Sequence, residues 1–236
     1  MKKKVLALTL GLTMALSLAA CGGNTGSSTS GSGAASGSGA DASTSGSGSS
    51  GDLITVGFAQ VGHESDWRTA STQSAQDVFS EENGYQLSFI DCDNDSATQL
   101  EAVRGFIQQG VDYIIIDPIV STGWDAVLTE CEAAGIPVIV IDRTIDDSDK
   151  YVTWVGSDFK TEGLACGEWL KAYAEAKGIT EINALVIEGS TGASATIGRT
   201  EGFKEVADRE GWTILDSQIG DFTEAGGQEV MESYCQ

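Results

Sequence analysis

Val111-Asp112-Tyr113-Ile114-Ile115-Ile116 is the stretch that decides the fold. It is short, apolar and rich in β-branched side chains, which is typical of a strand covered by helices on both faces. Ile136 to Ile141 repeats this strand pattern. Between the two strands lie apolar residues at helical spacing that stop at Gly135, a helix-end signal: Trp124, Val127, Leu128 and Cys131. Alternation of strand and helix predicts a parallel sheet with right-handed crossovers.

The same alternation extends in both directions along the chain. It restarts near residue 156 and yields two further strands before Gln236. A doubly wound domain usually has more strands. We therefore expect two α/β lobes, residues 52–155 and an incomplete 156–236, in a C-terminally truncated sequence. The other predicted strands are Leu53–Ala59, Tyr85–Ile90, Tyr151–Val155, Asn183–Ile187 and Thr213–Ile219.

The first fifty residues have the order of a bacterial lipoprotein leader. Basic residues 2–4 precede an apolar run from Val5 to Leu18 that is too short for a comfortable transmembrane helix. Leu18-Ala19-Ala20-Cys21 resembles a lipobox, which predicts a signal peptide over residues 1–20 and lipidation of Cys21. Residues 21–51 are almost all small or polar, which predicts a disordered tether. The alternative is a secreted protein in which Cys21 is incidental.

Charge and cysteine usage exclude several classes of function. The chain has 35 acidic and 13 basic residues and a net charge of −22, which disfavours nucleic-acid binding because phosphates need basic patches. A single histidine and the lack of C-x-x-C spacing argue against zinc, so no metal and no cofactor are expected. The wide cysteine spacing allows no disulfide pairing to be deduced. Buried free thiols are expected at Cys92, Cys131, Cys166 and Cys235.

The loop after the first strand carries the densest set of chemically active side chains: Glu64, Ser65, Asp66, Trp67 and Arg68. A parallel sheet places its binding crevice at this edge, and the G-x-G-x-x-G pattern of a dinucleotide site is absent. Carboxylates accept hydrogen bonds from hydroxyls, guanidinium groups donate them, and an indole packs on C–H groups, so a neutral polyol is predicted. The alternatives are a helix cap at Ser65 or Asp66 and a core position for Trp67.

Polar residues also follow other strands. Asp142-Arg143 ends the fourth strand and either grips vicinal hydroxyls or pairs internally, whereas Asp117-Pro118 is interpreted as a turn. Arg199, just inside a later helix, is predicted to point back to the crevice. The Gly- and Ser-rich loop from Glu188 to Ser194 lacks the lysine of a P-loop. An enzyme is not expected, because His63 is the single histidine available as a base.

These stretches together resemble the galactofuranose-binding members of the ribose-type periplasmic binding proteins. The resemblance covers residues 54–234 and is specific in the combination of its motifs. The motifs are Gly57-Phe58-Ala59-Gln60-Val61-Gly62, Glu64-Ser65, Trp67-Arg68, Ala102-Val103-Arg104, Gln109-Gly110-Val111-Asp112, Asp117-Pro118, Thr122-Gly123-Trp124, Ile136-Pro137-Val138, Asp142-Arg143, Gly192-Ala193-Ser194, Arg199, Gly202-Phe203 and Gly220-Asp221-Phe222-Thr223.

The resemblance implies an α/β protein of periplasmic binding protein type I, with two Rossmann-like lobes that close on a sugar. His63 departs from the family, which tends to carry a small polar residue there, and is expected to alter specificity or pH response. Phe222 matches an aromatic residue that stacks on sugar in related binders. The other ligand contacts implied by position are Glu64, Ser65, Asp66, Trp67, Arg68, Asp142, Arg143 and Arg199.

We therefore expect an extracytoplasmic monomer, anchored to the membrane by lipid, that captures a monosaccharide and delivers it to an ABC import permease. The sugar is expected to be galactofuranose-like or another furanose or pyranose. The alternative function is a sensory module that presents bound sugar to a chemoreceptor or sensor kinase. A cytoplasmic repressor is disfavoured, because the first fifty residues predict a leader and tether instead of a helix-turn-helix.

Overall fold

The computed structural model describes residues 53–236. The predicted signal peptide over residues 1–20, the lipidated Cys21 and the tether over 21–51 lie outside the described residues. Besides a 3-10 helix at Glu81–Asn83, the elements in chain order are β1 (Ile54–Gln60), α1 (Asp66–Val78), β2 (Tyr85–Asp91), α2 (Ser96–Gln109), β3 (Tyr113–Ile116), α3 (Asp125–Ala134), β4 (Val138–Ile141), β5 (Thr153–Val155), α4 (Phe159–Lys177), β6 (Asn183–Glu188), α5 (Ser194–Glu210), β7 (Thr213–Ile219) and α6 (Glu224–Tyr234).

Five parallel strands form the first sheet, in the order β2-β1-β3-β4-β5. Phe58 and Ile115 pack with residues of α1 on one face, whereas Ile114 and Ile116 pack with residues of α2 and α3 on the other. Burying one such side chain contributes about 1.5–3 kcal/mol. The prediction of a β3 covered on both faces is therefore confirmed.

The last hydrogen bonds of α2 and α3 involve residues that the sequence pattern assigns to the following strands. Gly110 (φ 68°) and Gly135 (φ 72°) adopt the left-handed conformation that ends a helix. The next residues, Val111 and Ile136, donate their backbone N–H groups back to the carbonyls of Phe106 (3.4 Å) and Cys131 (3.0 Å). These apolar residues therefore cap the preceding helices. The predicted strand starts at residues 111 and 136 were wrong by two residues for this reason.

β6 and β7 pair in parallel as a second sheet of two strands. Beside it, α4 and α5 pack through glycines, where a Cβ on Gly163 would lie 2.2 Å from the Arg199 carbonyl oxygen and a Cβ on Gly202 would lie 2.2 Å from the Lys160 carbonyl oxygen. The two helix backbones are thus in direct contact. The division into lobes at residue 156 stays a prediction.

The thiols are all free in the described residues. Cys92 and Cys131 are buried, as predicted, whereas Cys166 and Cys235 are exposed. The prediction of burial was wrong for the second pair, because Cys166 opens onto a cavity beside α4 and Cys235 directly follows α6. Among residues 53–236, none of the helices has the length and apolar character needed to cross a membrane.

Candidate ligand-binding site

A cavity of about 340 Å³ lies at the carboxyl ends of the strands. Parallel strands end at one edge of a sheet, so the loops after β1, β4 and β5 meet there, and α5 and the loop after β7 contribute from the other side. Eight of the nine residues predicted to bind ligand line this cavity. Its lining consists of Glu64, Ser65, Trp67, Arg68, Asp142, Arg143, Ser157, Phe159, Glu162, Ala195, Arg199 and Phe222.

Asp66 is the predicted site residue that does not line the cavity. It is exposed in the first turn of α1, where its negative charge is favourable near the helix N-terminus. Successive helical residues are rotated by about 100°, so Asp66 lies on a different side of α1 from the buried Arg68 two residues later. The neighbouring Ser65 both caps α1, through the Arg68 N–H at 3.3 Å, and reaches the cavity.

Arg68 is the centre of a buried ion-pair network. Its guanidinium contacts Glu64 Oε1 at 3.0 Å, Asp142 Oδ2 at 2.9 Å, and Asp117 Oδ2. Arg143 joins the network by donating to Glu64 Oε1 at 3.2 Å. Both arginine side chains are almost fully buried. The network fixes both guanidiniums at the cavity wall.

Asp117 has a larger role than the turn predicted for Asp117-Pro118. Its side chain is completely buried and pairs with Arg68. The signal was present in the sequence, because Asp117 is the first polar residue after β3, just as Asp142 is after β4. The interpretation of Asp117 as a turn residue was incomplete, since its buried carboxyl group also holds Arg68.

Gln99 of α2 holds the loops that carry these residues. Its side-chain amide donates to the carbonyls of Ala59 (3.2 Å) and Asp117 (2.6 Å) and accepts from the Ile119 N–H (2.9 Å). Gln99 is fully buried, so these bonds satisfy a side chain that would otherwise be costly to bury. The ends of β1 and β3 are thereby tied together. Sequence spacing gave no indication of this role.

The backbone at two cavity residues is left-handed. Asp142 has φ 57° and Phe222 has φ 58°, values that L-residues adopt at a cost of about 1–3 kcal/mol each. Such strain persists only where the surrounding structure compensates for it. The ion pair of Asp142 with Arg68 and the stacking of Phe222 on Arg143 supply that compensation.

Each arginine of the cavity lies against an aromatic ring. Trp67 covers the Arg68 guanidinium at 4.7 Å, Phe222 covers Arg143 at 5.0 Å, and Phe159 covers Arg199 at 4.8 Å. Stacking of this kind contributes about 0.5–2 kcal/mol and leaves apolar ring surface at the rim. Trp67 is 59% exposed, so the alternative of a core position for it was wrong.

Arg199 lines the cavity, whereas His63 does not. Arg199 reaches the lining, as predicted, and pairs there with Glu162 at 2.8 Å. His63 is exposed, contacts Asp91 through Nδ1, and does not line the cavity. The predicted effect of His63 on specificity therefore has no direct route through ligand contact.

The charges of the network are unbalanced, with three carboxyls against two guanidiniums. Burial raises the pKa of Asp117 to about 7; Arg68 opposes this increase, whereas Asp142 and Glu64 add to it. Burial disfavours the charged form of Arg68, but Asp117 and Glu64 outweigh it and raise the pKa of Arg68. Burial lowers the pKa of Arg143. Asp117 is therefore the group that takes up a proton.

We expect stability to fall with rising pH because of Asp117. Between its ordinary pKa of 3.8 and its raised value of about 7, the folded state holds a proton that the unfolded state has lost, so folding weakens as pH rises. Urea denaturation at several pH values should give the free energy of unfolding of the wild type and of Asp117→Asn. The difference between them, wild type minus variant, should decrease as pH rises from 3.8 to about 7. A difference that stays constant or increases would contradict the raised pKa.

Asp112 provides the matched control. Hydrogen bonds from the backbone and hydroxyl of Thr55 lower its pKa, so its contribution is present above pH 3.8 and is lost as pH falls below that value. The difference between wild type and Asp112→Asn should therefore stay constant between pH 3.8 and about 7, where that for Asp117 decreases, and should fall only below pH 3.8.

Two buried carboxylate oxygens of the Arg68 network, Glu64 Oε2 and Asp117 Oδ1, have no hydrogen-bond partner in the described part of the chain. A buried acceptor without a donor costs about 1–3 kcal/mol. Glu64 lines the cavity, but its Oε2 atom is itself closed to solvent. The cavity thus offers guanidinium donors, carboxylate acceptors and apolar rings, which together suit a hydroxyl-bearing ligand.

A larger cavity of about 590 Å³ adjoins this one and shares Glu162, Arg199 and Phe222 with it. Much of its remaining lining is apolar and comes from β6 and α5, including Leu185, Ile187 and Phe203. It lacks the Arg68 network and its fixed donors. The smaller cavity is therefore the better candidate for recognition of hydroxyl groups.

The chain is similar to known sugar-binding proteins. The galactofuranose-binding protein YtfQ of Escherichia coli K12 is 44% identical over 184 residues, which are 77% of this chain and 57% of YtfQ. A Mycobacterium smegmatis structure in complex with β-D-fucofuranose aligns with a TM-score of 0.73 and 46% identity, over 78% of this chain and 60% of that one. The arabinose-transporter binding protein of Shewanella sp. ANA-3, bound to α- and β-L-arabinofuranose, aligns with a TM-score of 0.70 and 41% identity, over 77% and 59%.

The chain thus spans about 57–60% of the length of these relatives. The predicted α/β class with parallel sheets is confirmed, as is the resemblance to galactofuranose-binding proteins. A family profile described as "Periplasmic binding protein domain" matches residues 56–236. On this evidence the chain belongs to the periplasmic binding protein domain family.

Proposed function

We propose that this protein is an extracytoplasmic solute-binding protein that captures a monosaccharide in its furanose form for an ABC importer. The observation that carries the proposal is the cavity whose wall holds Arg68 and Arg143 in fixed ion pairs beside Asp142 and the rings of Trp67 and Phe222. The relatives' names support the ring form, because they include galactofuranose, fucofuranose and arabinofuranose.

The chemistry of each side chain determines its role in recognition of the sugar. Glu64 and Asp142 accept hydrogen bonds from sugar hydroxyls, and Arg68, Arg143 and Arg199 donate to hydroxyl and ring oxygens. The rings of Trp67 and Phe222 pack on the C–H faces of the sugar. These roles require binding alone and assign no catalytic step.

The remaining parts of the proposal rest on sequence order. Lipidation of Cys21 would hold the protein at the outer face of the membrane, and residues 21–51 would tether it within reach of a permease. Ser65 and Asp66 both stay proposed ligand contacts. Of the two, Ser65 lines the cavity and Asp66 does not. The lobes predicted over 52–155 and 156–236 would close on the sugar.

Calorimetry on the full-length protein tests the proposal. Titration with D-galactofuranosides, L-arabinofuranosides and the matching methyl pyranosides should give binding of one sugar per protein for at least one furanoside. The pyranosides, locked in the six-membered ring, should bind more weakly. Absence of binding to every sugar in the panel would overturn the assignment.

We expect Glu64→Gln to weaken binding of the best sugar by about 10-fold to 100-fold, since a charged hydrogen bond contributes about 1.5–3 kcal/mol. Asp66→Asn is the matched control: it also removes one charge, but from an exposed residue outside the cavity. It should change the Kd by less than about twofold. Equal losses for the two variants would contradict the placement of the sugar beside Glu64.

A further inference from the structure

Two hydrogen bonds join the loops of the first sheet to the loop between β6 and α5. Thr144 N–H donates to Ser194 Oγ at 2.8 Å, and Ser121 N–H donates to the Gly192 carbonyl at 2.9 Å. None of these four residues lines the candidate sugar cavity. The bonds therefore connect the two sheets beside the cavity, through groups that do not contact a ligand in it.

The Ser194 hydroxyl is available for this contact because the helix does not use it. A serine at a helix start usually caps its own helix, but the N-cap of α5 is Ala193, and Ser194 is the first helical residue. The Ser194 side chain is buried. Its oxygen instead accepts from a residue 50 positions away in the chain.

Gly192 brings the second contact into range. It has φ 81°, and a Cβ at this position would lie 3.2 Å from Val120 Cγ1. The glycine therefore lets the backbone of the β6–α5 loop approach the loop after β3 closely. A larger residue would push the carbonyl of Gly192 away from the Ser121 N–H.

The two contacts are linked on the side of the first sheet. Asp146 N–H donates to the Ser121 carbonyl at 2.7 Å, and the Thr144 hydroxyl donates to Asp146 Oδ1 at 3.0 Å. Ser121 and Thr144 thus belong to one hydrogen-bonded unit. Breaking one contact should therefore weaken the other, so the two contacts are expected to form and break together.

We propose that Ser194 and Gly192 form a latch that holds the two sheets together over a bound sugar and sets the rate of its release. This inference rests on the proposed function. Periplasmic binding proteins are known for hinge closure around ligands, and contacts made only in the closed state add to apparent affinity by raising the closed population. The latch makes Ser194 an affinity-determining residue that does not contact the sugar.

Exchange of backbone amides and release of sugar test the latch in the full-length protein. In Ser194→Ala, the Thr144 amide loses its acceptor, and the Ser121 amide, whose own acceptor is intact, should also exchange faster. Sugar release should accelerate about fivefold, the effect of losing one hydrogen bond, with little change in the association rate. Ser194→Thr, which keeps the hydroxyl, should restore both values.

Ser190→Ala is the matched control, because Ser190 lies in the same loop and its hydroxyl makes no hydrogen bond within residues 53–236. It should behave as wild type. Circular dichroism should show that all variants are folded. The latch is wrong if only the Thr144 amide responds to Ser194→Ala, or if Ser190→Ala has the same effect.

The exchange and release measurements distinguish a failure of the latch from a failure of the proposed function. If the wild type binds no sugar, the proposed function fails, whereas exchange at Ser121 without sugar still reports whether the two contacts act together. If sugar binds but its release rate is unchanged in Ser194→Ala, the proposed function stands and the latch is overturned.

Discussion

Replacement of Arg68 by methionine should lower the free energy of unfolding by about 3–5 kcal/mol and abolish sugar binding. Removal of one partner from a buried ion pair leaves an uncompensated charge in a medium of low dielectric constant. The loss should lie at the upper end of this range, because Glu64, Asp117 and Asp142 all contact this guanidinium. Arg143 alone would then face three carboxyl groups. Urea denaturation and calorimetry measure the two effects.

Arg104 offers a matched control for this substitution. It also lies on a helix and also contacts a carboxylate, Glu130, at 3.0 Å, but both side chains are nearly half exposed. An exposed pair contributes at most about 1 kcal/mol, so Arg104→Met should change stability little and leave binding intact. Similar losses of stability for the two variants would show that burial does not determine how much the Arg68 network stabilises the protein.

The second large effect is expected for Gly202→Ala at the contact of α4 with α5. The added Cβ would lie 2.2 Å from the Lys160 carbonyl oxygen and 2.7 Å from the Leu164 nitrogen, both of which are backbone atoms with little freedom to move. Overpacking of this kind costs about 1–3 kcal/mol or more, which exceeds the gain of about 1 kcal/mol in helix propensity. Thermal denaturation should show a lower midpoint.

Gly105→Ala is the control, because Gly105 also lies inside a helix and its added Cβ would have no atom within 4 Å. Here the propensity gain should act alone and raise stability by about 0.5–1 kcal/mol. The two alanine variants should therefore shift the midpoint in opposite directions. The contact between α4 and α5 would be less close than described if Gly202→Ala were also stabilising.

The sequence pattern predicts this fold well where local signals dominate. Gly110 and Gly135 mark helix ends because only glycine readily adopts a positive φ, and the apolar run of β3 marks a strand buried on both faces. The errors lie where one residue serves two elements. Val111 and Ile136 have the chemistry of strand residues, but their N–H groups cap the preceding helices.

The candidate site was predictable where polar residues stand at the end of a strand or in the loop that follows it. Glu64 and Asp142 were found by this rule, and Asp117 meets the same rule but was given a local explanation. Gln99 lies inside a helix and acts on loops 18 to 40 residues away, a relation that no local pattern contains. Asp66 shares a motif with Arg68 but not a helix face, which sequence proximity alone does not reveal.

The shared network around Arg68 restricts how this pocket can acquire new selectivity. A mutation at Arg68 or Arg143 disturbs several ion pairs at once. Any change in ligand selectivity gained there is therefore accompanied by a loss of folding stability. Ser157 reaches the same wall, is exposed and does not belong to that network. Adaptation to another solute, in nature or in the design of a biosensor, is therefore less costly through this position than through either arginine.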